Sequence, residues 1–219
     1  MAGTQRKLDE NIQKYFCTGV ILAGGQSKRF SGYEKAFLRV GQSRVIDRII
    51  AIFQELFEEI ILVTNRPLHY LEWDVNIVTD LFQNRSALTG IHTGLFYATY
   101  SHAFFCACDL PFLKKNIVEF LISRIAQMAP KPDVILPETP AGLEPMCAVY
   151  SKRMLNAIEH QLSKGNYKIE DAFGNHRIRR INASTLGKMD PTYISFFNIN
   201  TPEDLAKAEA IELERGSNA

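Results

Sequence analysis

Charge of one sign, long apolar runs and paired cysteine spacings are all scarce in this sequence, and each scarcity removes a class of protein. Across 219 residues the formal net charge is only +1. Such a balance sets aside no dedicated surface for nucleic acid or for an anionic membrane, while leaving room for a local basic patch around a phosphate. Residues Met1 to Phe16 are polar and charged, without the apolar segment that directs export, and no later run approaches the ~20 apolar residues a membrane span requires. The expectation is a cytoplasmic protein whose partners are small molecules. The four cysteines, Cys17, Cys106, Cys108 and Cys147, show no C-x-x-C spacing and mostly lie inside apolar runs. That suits buried reduced thiols, with a disulfide or zinc framework as the weaker alternative. No internal repeat is present.

What the chain does have is core-forming material. Hydrophobic residues make up 46% of it, enough for one substantial core, and the length is too short to argue for two independent domains. One globular domain is expected over residues 17–214, after an extension at 1–16 and before a short polar tail at 215–219. From Cys17 onward, short apolar runs alternate with longer segments of helical period. Stacked βα units with a largely parallel sheet, covered on both faces, give that pattern, so the fold class is α/β. Strands are predicted at Thr18 to Leu22, Glu59 to Thr64, Asn76 to Val78, Ala103 to Ala107, Val134 to Leu136, Met146 to Tyr150 and Arg177 to Ile181. Val45, Ile46, Ile49, Ile50, Phe53 and Leu56 draw one apolar stripe on a helix. A second helix is predicted from Ala87 to Tyr100. In it Gly90 and Gly94 fall one turn apart, which weakens a helix unless its backbone must approach a strand closely. A third follows Pro111, with Ile117, Phe120, Leu121 and Ile125 inward and Lys114 and Lys115 toward water. Thr201-Pro202-Glu203-Asp204 offers an N-cap, a proline at the first helical position and acids in the first turn, so a last helix starts near Pro202.

Two segments carry chemistry. After the first strand come Gly24 and Gly25, then Lys28, Arg29 and Lys35. Glycines let backbone N–H groups turn toward phosphate oxygens, and the cations neutralise the charge held there. The loop is neither G-x-G-x-x-G nor G-x-x-x-x-G-K-[ST], so it is not a Rossmann dinucleotide or P-loop site. An ordinary strand-to-helix loop with solvated cations is the bland alternative. Further on, the very apolar run Ala103 to Cys108 delivers Asp109 at the carboxyl end of a strand, where open sheets bind ligands. A carboxylate leaving a hydrophobic strand needs a cation, and hard oxygen suits Mg²⁺ held together with substrate phosphates. A helix-capping aspartate without a catalytic role would look the same in sequence. Asp80 also follows a strand at that edge, where a turn aspartate is the alternative.

The run L-A-G-G-x-S-x-R from Leu22 to Arg29, with Lys35 six residues beyond the arginine, resembles the signature of the molybdenum cofactor guanylyltransferase family. The resemblance implies a three-layer αβα, Rossmann-like nucleotide-diphospho-sugar transferase fold with a mostly parallel central sheet. It implies that Leu22, Ala23, Gly24 and Gly25 wrap the nucleotide and that Lys35 contacts the triphosphate; in the mechanism expected from this, Lys35 and Arg29 stabilise the negative charge that builds on the leaving pyrophosphate. Asp109, in the family's D-x-P, would be the Mg²⁺ ligand, and Asp80 a nucleotide contact. Asn65-Arg66-Pro67 resembles the N-R-x turn near the guanine pocket, an ordinary turn being the alternative. Relatives that transfer CMP tend to carry alanine in place of Gly24, so GTP is the implied substrate. Asn84 to Gly90 stands where relatives have G-P-L-x-G, with Leu88 and Gly90 retained, and Ser31 stands where many have glycine. Glu144 to Tyr150 resembles x-P-L-x-A-V-Y on the acceptor side. Asn198-Ile199-Asn200-Thr201-Pro202-Glu203-Asp204-Leu205 matches the closing N-x-N-T-P-E-D-L, which places Asn198 and Asn200 near metal and acceptor.

The activity so implied is transfer of GMP from GTP to the phosphate of molybdenum-molybdopterin, with transient contact to molybdoenzymes or other cofactor-biosynthesis proteins. Its nucleophile is already an anion, so no histidine base is required, and His69, His92, His102, His160 and His176 form no triad in sequence. Transfer of CMP, transfer to a sugar phosphate, and a noncatalytic nucleotide-binding adaptor stand as alternatives.

Overall fold

The computed structural model describes residues 15–24 and 34–216. Its strands are β1 (Thr18–Leu22), β2 (Arg39–Val40), β3 (Ser43–Arg44), β4 (Ile60–Val63), β5 (Asn76–Val78), β6 (His102–Ala107), β7 (Val134–Thr139), β8 (Gly142–Leu143), β9 (Cys147–Ser151) and β10 (Ile178–Ile181). The helices are α1 (Val45–Leu56), α2 (Ala87–Tyr97), α3 (Lys115–Gln127), α4 (Leu155–Ser163), α5 (Ala183–Leu186) and α6 (Pro202–Gly216). The main sheet has the order β10-β7-β9-β6-β1-β4-β5, with β8 hairpinned onto β7, while β2 and β3 form a separate ribbon.

Side-chain alternation along the central strands divides the core into two layers. Val20 and Leu22 of β1 and Ala103 and Phe105 of β6 join the apolar faces of α2 and α4. Ile21, Phe104 and Cys106 point the other way, onto α1, α3 and Ala208 of α6. Helices thus cover both faces of a mostly parallel sheet. The apolar stripe read in the sequence is the buried face of α1, with Val45, Ile46, Ile49, Ile50, Phe53 and Leu56 all inward. Each such burial stabilises the fold by ~1.5–3 kcal/mol, and truncating Phe53 to alanine would cost about 3–5 kcal/mol. Gly94 explains its place in α2: a Cβ there would lie 2.6 Å from Phe105 Cε1 and 2.7 Å from Val20 Cγ1. Helix and sheet touch where only glycine fits.

Three local features depart from the sequence-based expectation. The strand β9 runs antiparallel to both of its neighbours, β6 and β7. Its amino end therefore lies at the edge where β1, β4, β5 and β6 present their carboxyl ends. Helix α2 ends at Tyr97 instead of Tyr100, because Glu59 Oε2 accepts from Thr99 N at 2.9 Å and from Thr99 Oγ1 at 3.0 Å, drawing the chain off the helix. Lys114 faces water only in part. It donates to the fully buried Asp190 at 2.7 Å. The start of α6 follows expectation: Thr201 Oγ1 accepts from Asp204 N at 3.2 Å, and the Asp204 carboxylate accepts from Thr201 N at 3.0 Å, a reciprocal cap. Among the described residues, no helix is long and apolar enough to cross a membrane.

Candidate active site

The carboxyl edge of the sheet opens into a cleft of about 540 Å³. Leu22, Ala23 and Gly24 reach it from β1, Asp80 from the chain after β5, Asp109 from the chain after β6, and Met146 from the inverted strand's approach. This convergence follows from the topology, because four parallel strands end here and one antiparallel strand begins here. Ser86 caps α2 by accepting from Thr89 N at 3.1 Å, so the helix N-terminus also faces the cleft through Ser86, Ala87 and Gly90. In the segment lacking the Pro-Gly pair, Thr89 Oγ1 closes the turn by donating to Asn84 O at 2.8 Å.

Asp109 emerges from β6, all six of whose residues are buried. One carboxylate oxygen, Oδ2, accepts from Lys35 Nζ at 3.0 Å. The other, Oδ1, is buried and has no hydrogen-bond partner. Lys35 also donates to Asn200 Oδ1 at 2.6 Å. Its place is set by a 3₁₀ turn, Lys35–Phe37, whose buried Ala36 pins the backbone. The preceding Glu34, only 11% exposed, accepts from Tyr70 OH at 2.7 Å and pairs with Arg66 at 3.2 Å and His69 at 2.9 Å. These contacts fasten the base of Lys35 to the segment that follows β4.

At the other end of the cleft, Asp80 Oδ2 accepts from Asn65 Nδ2 at 2.6 Å. Its Oδ1 is buried without a partner. Burial raises the Asp80 pKa above the ordinary carboxylate value, opposed by the Asn65 hydrogen bond and by the charge of Arg85. Gly24 lies over this pair: a Cβ there would stand 3.4 Å from Asn65 Nδ2 and 3.7 Å from Asp80 Oδ2.

The structure therefore brings Leu22, Ala23, Gly24, Lys35, Asp80 and Asp109 to one cleft, with Asn65 held against Asp80. Gly25, Lys28 and Arg29, read as part of the phosphate cradle, lie outside the described residues. Of the two closing asparagines, Asn200 meets Lys35, whereas Asn198 Nδ2 donates to the backbone O of Phe196 at 3.0 Å. Cys106 is core, and Cys108 lines the cleft. Burial raises the thiol pKa of both. Among the described residues no histidine lines the cleft. Sequence reasoning missed Glu34 and Tyr70. The one available signal was an acid directly beside Lys35, and its partner lies 36 residues away.

Comparison with known proteins follows the same outline. Residues 19–180 match the model of a family described as the MobA-like NTP transferase domain. The chain belongs to this family. As a MobA-like NTP transferase it is an enzyme that transfers nucleotidyl groups, and its relatives cover nearly its whole length. The molybdenum cofactor guanylyltransferase of Desulfosudis oleivorans is 44% identical over 88% of this chain and 94% of its own. A probable molybdenum cofactor guanylyltransferase of Pelotomaculum thermopropionicum is 34% identical over 89% of this chain and 92% of its own. The crystal structure of molybdopterin-guanine dinucleotide biosynthesis protein A from Archaeoglobus fulgidus matches with a TM-score of 0.79 at 25% identity, covering 90% of this chain and 99% of that one. The family match ends before Asn200, which the fold nonetheless places on Lys35.

Proposed function

We propose that this chain transfers GMP from GTP to the phosphate of molybdenum-loaded molybdopterin, and that residues 17–214 form the catalytic domain of a cytoplasmic enzyme. The observation that carries the reading is the Lys35–Asp109 pair, which presents an ammonium and a buried, unpartnered carboxylate oxygen at one point of a nucleotide-sized cleft. The names of the relatives supply the acceptor and the base.

Mg²⁺ fits Asp109. A hard cation takes carboxylate oxygen, and Asp109 Oδ1 is such an oxygen without a partner. Among the described residues no group of three His, Cys, Asp or Glu is placed to hold a metal, so substrate phosphates and water would complete the shell. When bound, the ion would offset phosphate charge.

The chain's own residues account for the remaining chemistry. An oxygen of the acceptor phosphate attacks the α-phosphorus of GTP. The bond from that phosphorus to the bridging oxygen breaks, and its electron pair leaves with pyrophosphate. The attacking oxygen carries no proton to remove, so the step needs no histidine base. Lys35, steadied by Asn200 and Asp109, offsets the negative charge that grows on the leaving group. The opposite end of the cleft supports GTP over CTP. The free Asp80 oxygen is an acceptor in a half-buried place, and guanine offers it a ring N–H and an amino group. Cytosine has the amino group alone.

The test is pyrophosphate release from each NTP with Mg²⁺ and molybdenum-loaded molybdopterin, run beside Asp109→Ala. Release with GTP alone, lost in the variant, is the expected result. A preference for CTP would make the chain a cytidylyltransferase, and nucleotide binding without release would make it an adaptor.

A further inference from the structure

Behind the cleft, two chain segments run from Asp109 to Lys114 and from Asp190 to Asn200, tied together at both ends. At the cleft end, Ile199 N donates to Asp109 O at 3.0 Å, and Asn200 reaches Lys35 at 2.6 Å. At the far end, Lys114 Nζ donates to Asp190 Oδ1 at 2.7 Å, and Ser195 N donates to Asp190 Oδ2 at 2.8 Å. The Asp190 side chain is 0% exposed, and the side chain of its partner Lys114 is 34% exposed. Burial pushes the Asp190 pKa up, but the hydrogen bonds from Lys114 and Ser195 more than offset it and leave the carboxyl below its ordinary value. Between the ties, Ile199 is fully buried, and Phe112 packs on Phe197 with ring centroids 6.1 Å apart.

An ion pair built on a buried carboxylate is a poor source of stability, because desolvation offsets much of its attraction. What it does supply is a fixed distance. We propose that Asp190 and Lys114 form a positioning latch for the transfer reaction, setting the height of the 195–200 strap so that Asn200 and Asp109 hold Lys35 between them. Neither residue touches the cleft. Both act through the strap, whose backbone is clamped to the Asp109 backbone at Ile199. The kinetic part of this inference rests on the transferase reading given above, and the geometric part stands without it.

The test compares Asp190→Asn with Asp133→Asn. Asp133 is also a buried carboxylate, 5% exposed and paired with Arg153, but its contacts join the start of β7 to the turn after β9 and to the chain before β10, away from the cleft. It serves as the benchmark for a purely structural loss. The latch predicts that Asp190→Asn lowers kcat by about 10- to 100-fold while KM for GTP changes less than about twofold, since sub-ångström misplacement of a reacting group slows chemistry without loosening the base end. Lys114→Met should do the same, Lys114→Arg should restore part of the rate, and the double variant should be no slower than Asp190→Asn alone. Asp133→Asn should lose stability and keep its kcat. Equal kcat in all of these at matched folded fraction would overturn the latch. Amide exchange at Ile199 gives a readout free of substrate. Protection should fall by about tenfold or more in Asp190→Asn and hold in Asp133→Asn. Unchanged Ile199 protection overturns the latch even if the wild-type protein turns over no nucleotide, an outcome that would by itself sink only the transferase reading.

Discussion

Asp80 and Asp109 stand at the two ends of one cleft in nearly the same posture, each with Oδ2 held and Oδ1 buried without a partner. What differs is the holder. Asp80 is held by the neutral amide of Asn65, and Asp109 by the ammonium of Lys35. A neutral donor leaves a half-buried carboxylate short of positive charge, so burial raises its pKa and its free oxygen favours a ligand that brings protons on nitrogen. Beside the Lys35 ammonium, the second Asp109 oxygen is the one that the proposed function gives to a cation, with substrate phosphates next to it. Under the proposed function, one residue type would serve a base at one end and a triphosphate at the other, with the choice made by a neighbour distant in sequence.

The strongest way to break the comparison is to neutralise the phosphate end. Asp109→Asn keeps the shape and still offers Lys35 an oxygen, yet it removes the charge. Pyrophosphate release should fall by about 10³-fold or more, with little change in circular dichroism or melting temperature. A loss under tenfold would mean that Asp109 caps the chain and does not take part in catalysis.

The same neutralisation at Asp80 should behave differently. Asp80→Asn should raise KM for GTP by about 10- to 100-fold, leave kcat nearly intact, and narrow the preference over CTP, because one acceptor for the base becomes ambiguous. Stability should move the opposite way. The folded pKa of Asp80 lies above its unfolded value, so its ionised form is disfavoured in the folded state; its stabilising contribution is complete below the unfolded carboxyl pKa near ~3.9 and is lost as pH rises through the folded value. At pH 7, Asp80→Asn should therefore melt higher than wild type, and the gap should close as pH falls toward that unfolded value. A variant that melts lower at pH 7 would contradict the burial argument.

Parts of this were legible in the sequence, and the reason is distance along the chain. The α1 stripe, the close approach at Gly94 and the emergence of Asp109 from an apolar strand are local patterns, and each reads correctly within a dozen residues. The inverted strand was not legible, since a buried apolar run looks the same in either direction. Lys114 was read as solvated because its partner Asp190 is 76 residues away, and α2 was read too long because Glu59, 40 residues earlier, captures Thr99. Asn198 and Asn200 are equivalent by pattern. In the folded strap Asn200 meets Lys35, while the Asn198 amide turns onto Phe196 O.

The mildest test adds a single carbon at the base end. Gly24→Ala would put a Cβ 3.4 Å from Asn65 Nδ2 and 3.7 Å from Asp80 Oδ2, ordinary contact distances that the fold tolerates. The methyl group would cover the side of the Asn65–Asp80 pair that faces the cleft and leave Lys35 and Asp109 untouched. KM for GTP should rise by about three- to tenfold, with kcat and melting temperature near wild type, since one added methyl at a binding edge discriminates weakly. An unchanged KM would mean the base does not approach along Gly24, and a fallen kcat with KM intact would tie Gly24 to the phosphates instead, merging the two ends that the comparison keeps apart.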